Sequence, residues 1–559
     1  MLAVHLMYMK KSRDVQIVFF TLVFAIFLTL GTALALFVTN WSRPASALMF
    51  VFLVFFNFSF SLLISKRILS FFVKPYQFPK LQNLISNPKV AILYATMNDV
   101  VPECLSSIWQ TYPSDAYVLD DSTDTEKRSV VDRIAKEKGF RVLRRKHRRG
   151  FKAGAINDWI KAYGKEYDYI VLLDADSYIP PDWVKETLKY AEHPSNSNIT
   201  IFQGLINIWN LDNRFVKTLA PLHVMGQDVW EKRLANHLDA VFCYGHNVLI
   251  RMSHVGEIGG FVEGYVSEDF ATAVKLAERG YKSRFVPIHT YEAMPENIRG
   301  FIKRQNKWTR GSMEFFSFAK KPKLSFLQRL LLSQTPMGHF SYIVIMVAMF
   351  LTIFGYYSTT AHLYAFAMNL WASHIFYILS IPLFQYVIAT SIVSGIILLI
   401  KLHQLGISNS TFLRYQLLSK AIGAIMLPYE VKTILKYLVN KRLTFSVTPK
   451  SERALSFRET LFISKETILT IVLLTLGLVW INPLGILYNI TWLLPLLISP
   501  LVIYFFSMAA RSEANPTEPD FQMTLTNGGS VTVTCLCSQA EKVSQLLNYV
   551  RDRSKFLFS

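Results

Sequence analysis

The sequence predicts a cytosolic α/β domain inserted into an α-helical bundle of six to eight membrane spans. Its composition is the first reason, because 52% of the 559 residues are hydrophobic. That share is high for a soluble protein and low for a bundle of spans alone. Long apolar runs also flank a polar stretch at about residues 75–330. Within this stretch, segments typical of strands alternate with segments typical of helices, as in α/β domains.

Two apolar runs precede the polar stretch, and each is long enough to cross a bilayer. A span needs about 20 apolar residues, which Val15–Val38 and Ala45–Ile64 provide. The short link between them predicts a transmembrane hairpin. Lys10 and Lys11 precede the first run, and basic flanks favour the cytosolic side. The first run lacks a small-residue cleavage site, so we expect a span rather than a signal peptide.

The polar stretch contains three short, continuous apolar runs that predict buried strands. They are Val90–Ala95, Ala116–Leu119 and Tyr169–Leu173, and helical patterns at Glu126–Lys138 and Ala153–Tyr163 lie between them. Such runs suit a parallel sheet that is covered on both faces. We therefore expect a doubly wound sheet, whose ligands bind at the carboxyl ends of the strands.

Further apolar runs follow the polar stretch. We expect one span at His339–Tyr357, one kinked element or two spans in His362–Leu402, an ambiguous amphipathic segment at Phe412–Val439, and a last hairpin of Leu469–Ile481 and Ile490–Phe506. Two segments that mix basic, aromatic and apolar residues, Ile302–Arg310 and Leu324–Leu332, predict helices on the membrane surface. An even number of spans between residues 339 and 440 would keep residues 445–450 cytosolic, which gives six or eight in total.

The tail after Arg511 is polar. Phe521–Leu525 and Val531–Leu536 predict a small hairpin, followed by a helix near Gln539–Val550.

The net charge of +20 has three explanations: nucleic-acid binding, basic cytosolic loops next to a membrane, or a site for anionic substrates. The many apolar runs favour the second, so we expect no nucleic-acid partner. The four cysteines, Cys104, Cys243, Cys535 and Cys537, lack the spacing of a zinc site, and we expect reduced thiols.

Two acidic motifs follow the predicted strands. Asp174 and Asp176 come directly after the third strand, where paired carboxylates can share a Mg²⁺ or Mn²⁺ that also binds a diphosphate. Asp120 and Asp121 end the second strand, where a carboxylate can accept hydrogen bonds from a base or ribose. The alternative for this second motif is a helix cap or a turn, since Ser122 and Asp124 both suit that position.

Three further motifs carry candidate site residues. Lys152 precedes Gly154, which we expect to open a helix, so that Lys152 meets the diphosphate; the basic run Arg141–Arg149 before it is expected to be a solvated face. Ser267, Glu268 and Asp269 precede a predicted helix at Ala271–Arg279. Either Ser267 caps this helix and the two acids stabilise its start, or Asp269 is a general base. Trp308, with Arg304 and Lys307 nearby, either stacks on a sugar ring or lies at the membrane interface.

Taken together, these motifs resemble those of processive family 2 glycosyltransferases, the group of cellulose synthases, hyaluronan synthases and periplasmic-glucan glucosyltransferases. The resemblance covers about residues 15–507 and follows the family order: Asp120-Asp121-Ser122, Lys152-Ala153-Gly154, Asp174 with Asp176, Gly245-His246-Asn247, Glu268-Asp269 and Phe445-Ser446-Val447-Thr448-Pro449-Lys450. The last hexapeptide is the most specific match, to the family's gating loop Phe-x-Val-Thr-x-Lys.

The chain departs from the family in two places. The Gln-x-x-Arg-Trp motif appears as Arg304-Gln305-Asn306-Lys307-Trp308, in which Arg304 replaces Gln and Lys307 replaces a bidentate Arg. The Gly-His-Asn loop and Arg304 are more similar to the periplasmic-glucan enzymes. The tail after Arg511 lacks the motifs of a cyclic-di-GMP-binding domain.

The resemblance implies a GT-A-like domain and assigns roles to these residues. The nucleotide sugar would contact Asp120, Asp121, Lys152, Asp174, Arg304, Lys307, Phe445, Thr448 and Lys450; the acceptor would contact Trp308, Gly245, His246 and Asn247; and the metal would bind Asp174 and Asp176. Asp269, next to Glu268, would be the catalytic base.

The implied function is a membrane-embedded, processive, inverting β-glycosyltransferase that polymerises glucose from UDP-glucose and translocates the product. Its partners would be the nucleotide sugar, the growing polysaccharide, the bilayer and accessory export subunits. The alternative is a non-processive enzyme that acts on a lipid or another membrane acceptor. A transporter is disfavoured, because the spans are almost free of charged residues.

The implied division of the chain has six parts: a transmembrane hairpin (1–70), the cytosolic catalytic domain (71–320), interfacial and transmembrane helices (321–440), the gating loop (441–460), a second transmembrane hairpin (461–510) and a small cytosolic tail (511–559).

Overall fold

The computed structural model describes residues 13–38, 41, 44–351, 353, 395–439, 454–481, 485–507, 521–525 and 531–535. The chain divides into two compact units, Met1–Met508 and Ala509–Ser559. The described part of the second unit is the predicted hairpin, in which Phe521–Leu525 pairs antiparallel with Val531–Cys535.

A seven-stranded sheet forms the centre of the first unit. Its strands are β1 (Val90–Thr96), β2 (Ser114–Asp120), β3 (Arg141–Leu143), β4 (Tyr169–Asp174), β5 (Ile199–Ile208), β6 (Val248–Arg251) and β7 (Lys282–Glu292). They lie in the order β3-β2-β1-β4-β6-β5-β7. The three predicted strands correspond to β1, β2 and β4, which are neighbours and parallel, so their carboxyl ends meet at one edge.

The sheet is mixed, so the parallel pairing that the apolar runs favoured holds for β1, β2 and β4 but does not extend to β6. β6 runs antiparallel to both of its neighbours, β4 and β5. Val248, Leu249 and Ile250 of β6 are buried. A strand covered on both faces is a continuous apolar run whichever way it points, so periodicity did not reveal its direction.

Helices cover both faces of the sheet. Those of the domain are Pro102–Ser106, Thr125–Lys138, Phe151–Tyr163, Trp183–Ala191, Arg214–Gly226, Met252–Glu257, Glu268–Glu278, Ile298–Ser312 and Phe315–Phe318, with 3-10 turns at Gly164–Glu166 and Pro194–Asn196 and a π-helix at Gln227–Leu234. Trp159 packs in the apolar layer on one face and Trp183 in the layer on the other. The two-faced α/β domain that the sequence predicted is confirmed.

The remaining described helices are mostly apolar, and all but Gly395–Gln404 and Phe457–Ile463 are long: Arg13–Val38, Pro44–Phe72, Phe326–Leu351, Gly395–Gln404, Asn409–Val439, Phe457–Ile463, Lys465–Ile481 and Gly485–Ser507. Within the described residues, two have a segment long and apolar enough to span a membrane, Val15–Ala33 and Phe326–Val347. A third span results if the pair bent by 61°, Phe457–Ile463 with Lys465–Ile481, is one element. This is fewer than the six to eight expected, and most of His362–Leu402 lies outside the described residues.

Two local expectations were wrong. Leu324–Leu332 is not a separate surface helix, because the helix Phe326–Leu351 continues through it. Gly154 does not open its helix, which begins at Phe151. Instead, a Cβ at Gly154 would overlap the main-chain oxygen of Arg149, so glycine is required by close packing.

Candidate active site

A cavity of about 1180 Å³ extends from the carboxyl edge of the sheet to the long helices. Asp121 and Asp174 line it at the strand ends, and His339 and Ser419 line it between the helices Phe326–Leu351 and Asn409–Val439. Glu268, Asp269 and Trp308 line the same cavity. The structure therefore brings most of the predicted site residues to one cavity.

The carboxylates of Asp120 and Asp121 are held by arginines of the basic run. Arg144 Nε donates to Asp120 Oδ2 at 2.7 Å, and Arg145 Nε donates to Asp121 Oδ1 at 3.1 Å. The side chain of Asp120 is fully buried. The expectation that this run is a solvated face is therefore wrong for these two arginines.

The helix cap expected in the alternative interpretation of this motif is made by Asp124 rather than by Ser122. Asp124 Oδ1 accepts from the main-chain N–H groups of Glu126 and Lys127 and so caps the helix Thr125–Lys138. Asp120 Oδ1 instead accepts from the Ser122 N–H at 2.9 Å, which fixes the turn after β2.

Asp174, at the end of β4, is bound by two cationic side chains. Lys152 Nζ donates to Asp174 Oδ1 and, at 2.8 Å, to the main-chain oxygen of Gly245. His246 Nδ1 lies 3.7 Å from Asp174 Oδ2. Burial alone would lower the pKa of Lys152, but the charge and hydrogen bond of Asp174, together with the charges of Glu268 and Asp269, outweigh it and the pKa is raised. We call Asp120, Asp121 and Asp174, each paired with a cation, the strand-end carboxylates.

The residues around Asp176 fit a metal that is shared with a substrate. Asp174 and Asp176 line a smaller cavity of about 90 Å³. Within the described part of the chain, no group of three or more His, Cys, Asp and Glu side chains is arranged to hold a metal. Mg²⁺ is commonly bound through one or two carboxylates together with substrate phosphates and water, and that donor set is the one these aspartates can complete.

The loop before β6 brings glycine and histidine to the cavity. Gly245 has φ +83°, and a Cβ there would overlap the Asp269 carboxylate. His246 lines the cavity, and its Nε2 lies 2.7 Å from Glu292 Oε2. Burial alone would lower the pKa of His246, but Glu292 and then Asp174 raise it to about 9. Asn247 is fully buried behind the cavity wall, where its side-chain amide donates to the main-chain oxygen of Tyr291.

Glu268 and Asp269, which we call the acidic pair, begin the helix Glu268–Glu278. Burial, and then the charge of Asp269, raises the pKa of Glu268 to about 7. Burial also raises the pKa of Asp269, against the opposing effect of the Phe270 N–H, Lys152 and Lys307. Ser267 makes no side-chain cap at this helix, so that part of the alternative is wrong, whereas Glu268 and Asp269 do lie in the first helical turn. The pair is suited to exchanging a proton near neutral pH.

The helix Ile298–Ser312 carries the basic and aromatic site residues. Trp308 lines the cavity with 52% of its surface exposed, and the Arg304 guanidinium lies 4.6 Å from its ring centre. Burial lowers the pKa of Arg304, against the charges of Glu292 and Asp176. An indole held by a cation on one side and open to a cavity is suited to stack on a sugar ring.

Two acids that no motif singled out support the site. Glu292 ends β7, as Asp174 ends β4, and this strand-end position was the signal that could have found it. Burial would raise the pKa of Glu292, but the bond to His246 lowers it to about 2. Glu314 accepts from the N–H groups of Val266 and Ser267, both at 2.9 Å, and so fixes the residues before the acidic pair. No local pattern marked it.

The gating-loop prediction, with Phe445, Thr448 and Lys450, lies outside the described residues.

Comparison with known proteins finds similarity to one family over part of the chain. Residues 169–393 match the family model described as glycosyl transferase family group 2. The chain is 28% identical over 218 residues to glucomannan 4-beta-mannosyltransferase 1 of Oryza sativa subsp. japonica, covering 37% of this chain and 41% of that protein. It is 25% identical over 275 residues to glucans biosynthesis glucosyltransferase H of Rhodopseudomonas palustris, covering 43% and 37%.

The chain thus spans about two fifths of the length of the curated relatives it matches. Among solved structures, it is similar to a mannosyltransferase from Pyrobaculum calidifontis in complex with GDP-Man and Mn²⁺. That match has a TM-score of 0.45 and 17% identity, and it covers 71% of this chain and 99% of that one.

Proposed function

Because the chain contains a GT-A-like domain of glycosyltransferase family 2, we propose that it is a membrane-embedded, processive, inverting β-glycosyltransferase. It extends a polysaccharide with hexose from a nucleotide sugar. The observation that carries the proposal is the single cavity of about 1180 Å³, in which the acidic pair and Trp308 lie between the strand ends and the long helices. That arrangement gives the donor, the reacting atoms and the acceptor one continuous space.

The donor half of the cavity is at the sheet edge. Asp121 lines the cavity and binds the nucleotide, the fully buried Asp120 fixes the turn beside it, and Lys152, Arg304 and Lys307 bind the diphosphate. Asp174 and Asp176 hold a Mg²⁺ or Mn²⁺, which when bound offsets the charge that develops on the leaving diphosphate. The three cations supply the same kind of stabilisation from the protein itself.

The acidic pair carries the transfer. Asp269 takes the proton of the acceptor hydroxyl, and that oxygen attacks the anomeric carbon from the face opposite the diphosphate. The new glycosidic bond forms as the bond to the diphosphate breaks, so the configuration inverts. Glu268, whose pKa is raised to about 7 by burial and by the charge of Asp269, is suited to bind an acceptor hydroxyl.

The acceptor half of the cavity leads toward the bilayer. Trp308 stacks on the terminal sugar, and Gly245 and His246 form the wall beside it. Phe445, Thr448 and Lys450 close over the bound nucleotide and exclude water. The chain lies in the cell membrane, with the catalytic domain in the cytosol, and accessory subunits complete export of the product.

The proposed donor is UDP-glucose, as the glucan enzymes among the relatives suggest, while the mannosyltransferases among them make a mannosyl donor the competing choice. The test uses purified full-length protein in nanodiscs. A panel of radiolabelled UDP- and GDP-sugars is supplied as donors in the presence of Mg²⁺ or Mn²⁺. Product length is then measured, and linkage is determined with linkage-specific glycosidases.

A long β-linked polymer from UDP-glucose supports the proposal in full. The same polymer from another donor corrects only the sugar. A product of one or two sugars on lipid replaces the proposal with the non-processive alternative. No turnover of any donor by the protein supplied with lipid extract and oligosaccharide primers overturns it.

A further inference from the structure

A buried carboxylate lies where three helices meet beside the cavity. Glu430, in the helix Asn409–Val439, is fully buried. Its Oε2 accepts from Thr309 Oγ1 at 2.7 Å and lies 3.0 Å from His339 Nδ1. Thr309 and His339 belong to two other helices. Its Oε1 has no hydrogen-bond partner within the described residues. Burying such an incompletely hydrogen-bonded carboxylate in an apolar helix bundle costs free energy.

The histidine of this network faces the cavity. His339 is a lining residue, as are Gln334, Thr335 and Tyr342 of the same helix. This helix is also apolar enough to be a candidate span. Polar side chains in a span turn toward the protein interior or a water-filled space. These four therefore give the helical end of the cavity a wall of hydrogen-bonding groups.

Glu430 fixes which nitrogen of His339 can meet a ligand. Nδ1 points to the carboxylate at 3.0 Å and to Thr309 Oγ1 at 3.2 Å. A carboxylate on Nδ1 favours the tautomer in which Nδ1 carries the proton, so Nε2 becomes an acceptor. Within the described residues, no hydrogen bond is made by Nε2. An acceptor nitrogen on a cavity wall is complementary to a hydroxyl group.

We propose that His339, oriented by Glu430, binds a hydroxyl of the polysaccharide on the membrane side of Trp308. The proposal depends on the proposed function, since it names a subsite of the same cavity. Thr309 directly follows Trp308 in the chain, so one network positions the stacking indole and the histidine together. Glu430 acts as a positioning residue, and His339 contacts the sugar chain.

The test measures binding of β-linked gluco- and manno-oligosaccharides to the full-length protein in nanodiscs, together with acceptor KM, donor KM and product length. His339→Ala is expected to weaken oligosaccharide binding about tenfold, the loss of one good hydrogen bond. It should also shorten the product and leave donor KM unchanged. Glu430→Gln should act in the same direction but less, and His339→Gln, which keeps a hydrogen-bonding group, should restore part of the affinity.

Thr433→Val is the matched control. Thr433 Oγ1 donates to Asn306 Oδ1 at 3.0 Å and so joins the same two helices as Glu430 and Thr309. Neither Thr433 nor Asn306 lines the cavity. Binding and product length should be unchanged in this variant. Equal losses of oligosaccharide binding in Thr433→Val and His339→Ala would show that both residues act only by holding the helices together, which would overturn the subsite.

Two other outcomes separate a failure of the subsite from a failure of the proposed function. If the original protein binds oligosaccharide and His339→Ala binds it equally well, the subsite is wrong and the proposed function stands. If the original protein binds no oligosaccharide, both fail.

Discussion

The two acidic groups of the cavity are held in opposite ways. Each strand-end carboxylate contacts a cation from a neighbouring segment, which keeps its charge compensated within the fold. The acidic pair instead places two carboxylates side by side in a buried position, and the pKa of each is raised. Environments that treat carboxylates so differently separate their tasks. The strand-end group is suited to hold a charged donor in place, and the acidic pair to handle a proton.

The largest effect should come from removing the base in the acidic pair. Asp269→Asn keeps the shape of the side chain but cannot accept the hydroxyl proton. Transfer is expected to fall by about 10²–10⁴-fold, the range for general-base catalysis, with donor affinity unchanged. Single-turnover transfer and equilibrium binding of the nucleotide sugar separate the two quantities.

Glu278→Gln serves as its control, because Glu278 ends the same helix and does not line the cavity. That variant should transfer sugar normally. Substantial polymerisation by Asp269→Asn would remove the assignment of the base and, with it, the division of tasks between the two groups.

The second effect tests whether the strand-end carboxylates depend on their cations. Arg144→Met leaves the fully buried side chain of Asp120 without its strongest partner. The free energy of unfolding should fall by about 1.5–3 kcal/mol, the usual contribution of a hydrogen bond to a charged group. Chemical unfolding of the detergent-solubilised protein measures it. The double variant Asp120→Asn with Arg144→Met should lose less than the sum of the single changes, because the two residues share one interaction.

Arg149→Met is the matched change in the same basic run. Arg149 is 66% exposed and pairs with Glu263 at 2.9 Å, and exposed ion pairs contribute about 0–1 kcal/mol. Comparable losses in both arginine variants would show that burial of Asp120 does not set the cost.

The same contrast explains what the sequence could predict. β1, β2 and β4 were predictable because each is an uninterrupted apolar run, and two of them lead directly into aspartates at one sheet edge. The cations of the strand-end carboxylates were harder, since Arg144 lies 24 residues from Asp120 in a run that looks solvated. The link between Thr309 and Glu430 spans 121 residues, and no periodicity records such a distance. The local sequence pattern predicts where a side chain lies on its strand or helix, but tertiary packing determines which residues it contacts.

A third effect concerns the pH at which the acidic pair works. Lys307 lowers the pKa of both Glu268 and Asp269. Asp269 acts as a base only when ionised, so activity falls as pH drops through its raised pKa. Lys307→Gln removes the opposing charge and raises that pKa further. The acidic limb of the kcat profile should therefore move to higher pH.

Lys303→Gln, one turn earlier on the same helix and exposed, should leave the midpoint in place. This control separates a local charge effect from a general loss of positive charge. An acidic limb that stays fixed, or moves to lower pH, in Lys307→Gln would mean that the pair does not sense this lysine.

The smallest effect should come from an ion pair that lacks the burial of Asp120. Arg299 contacts Glu459 at 3.0 Å, and their side chains are 39% and 24% exposed. Glu459 also completes the capping box of the helix Phe457–Ile463, a role that Gln can fill. Glu459→Gln therefore removes the ion pair and keeps the cap. The loss in unfolding free energy should stay below about 1 kcal/mol and shrink with added salt. A salt-independent loss as large as that of Arg144→Met would show that solvent screening does not distinguish the exposed pair from the buried one, and the contrast between cation-paired carboxylates in different settings would fail.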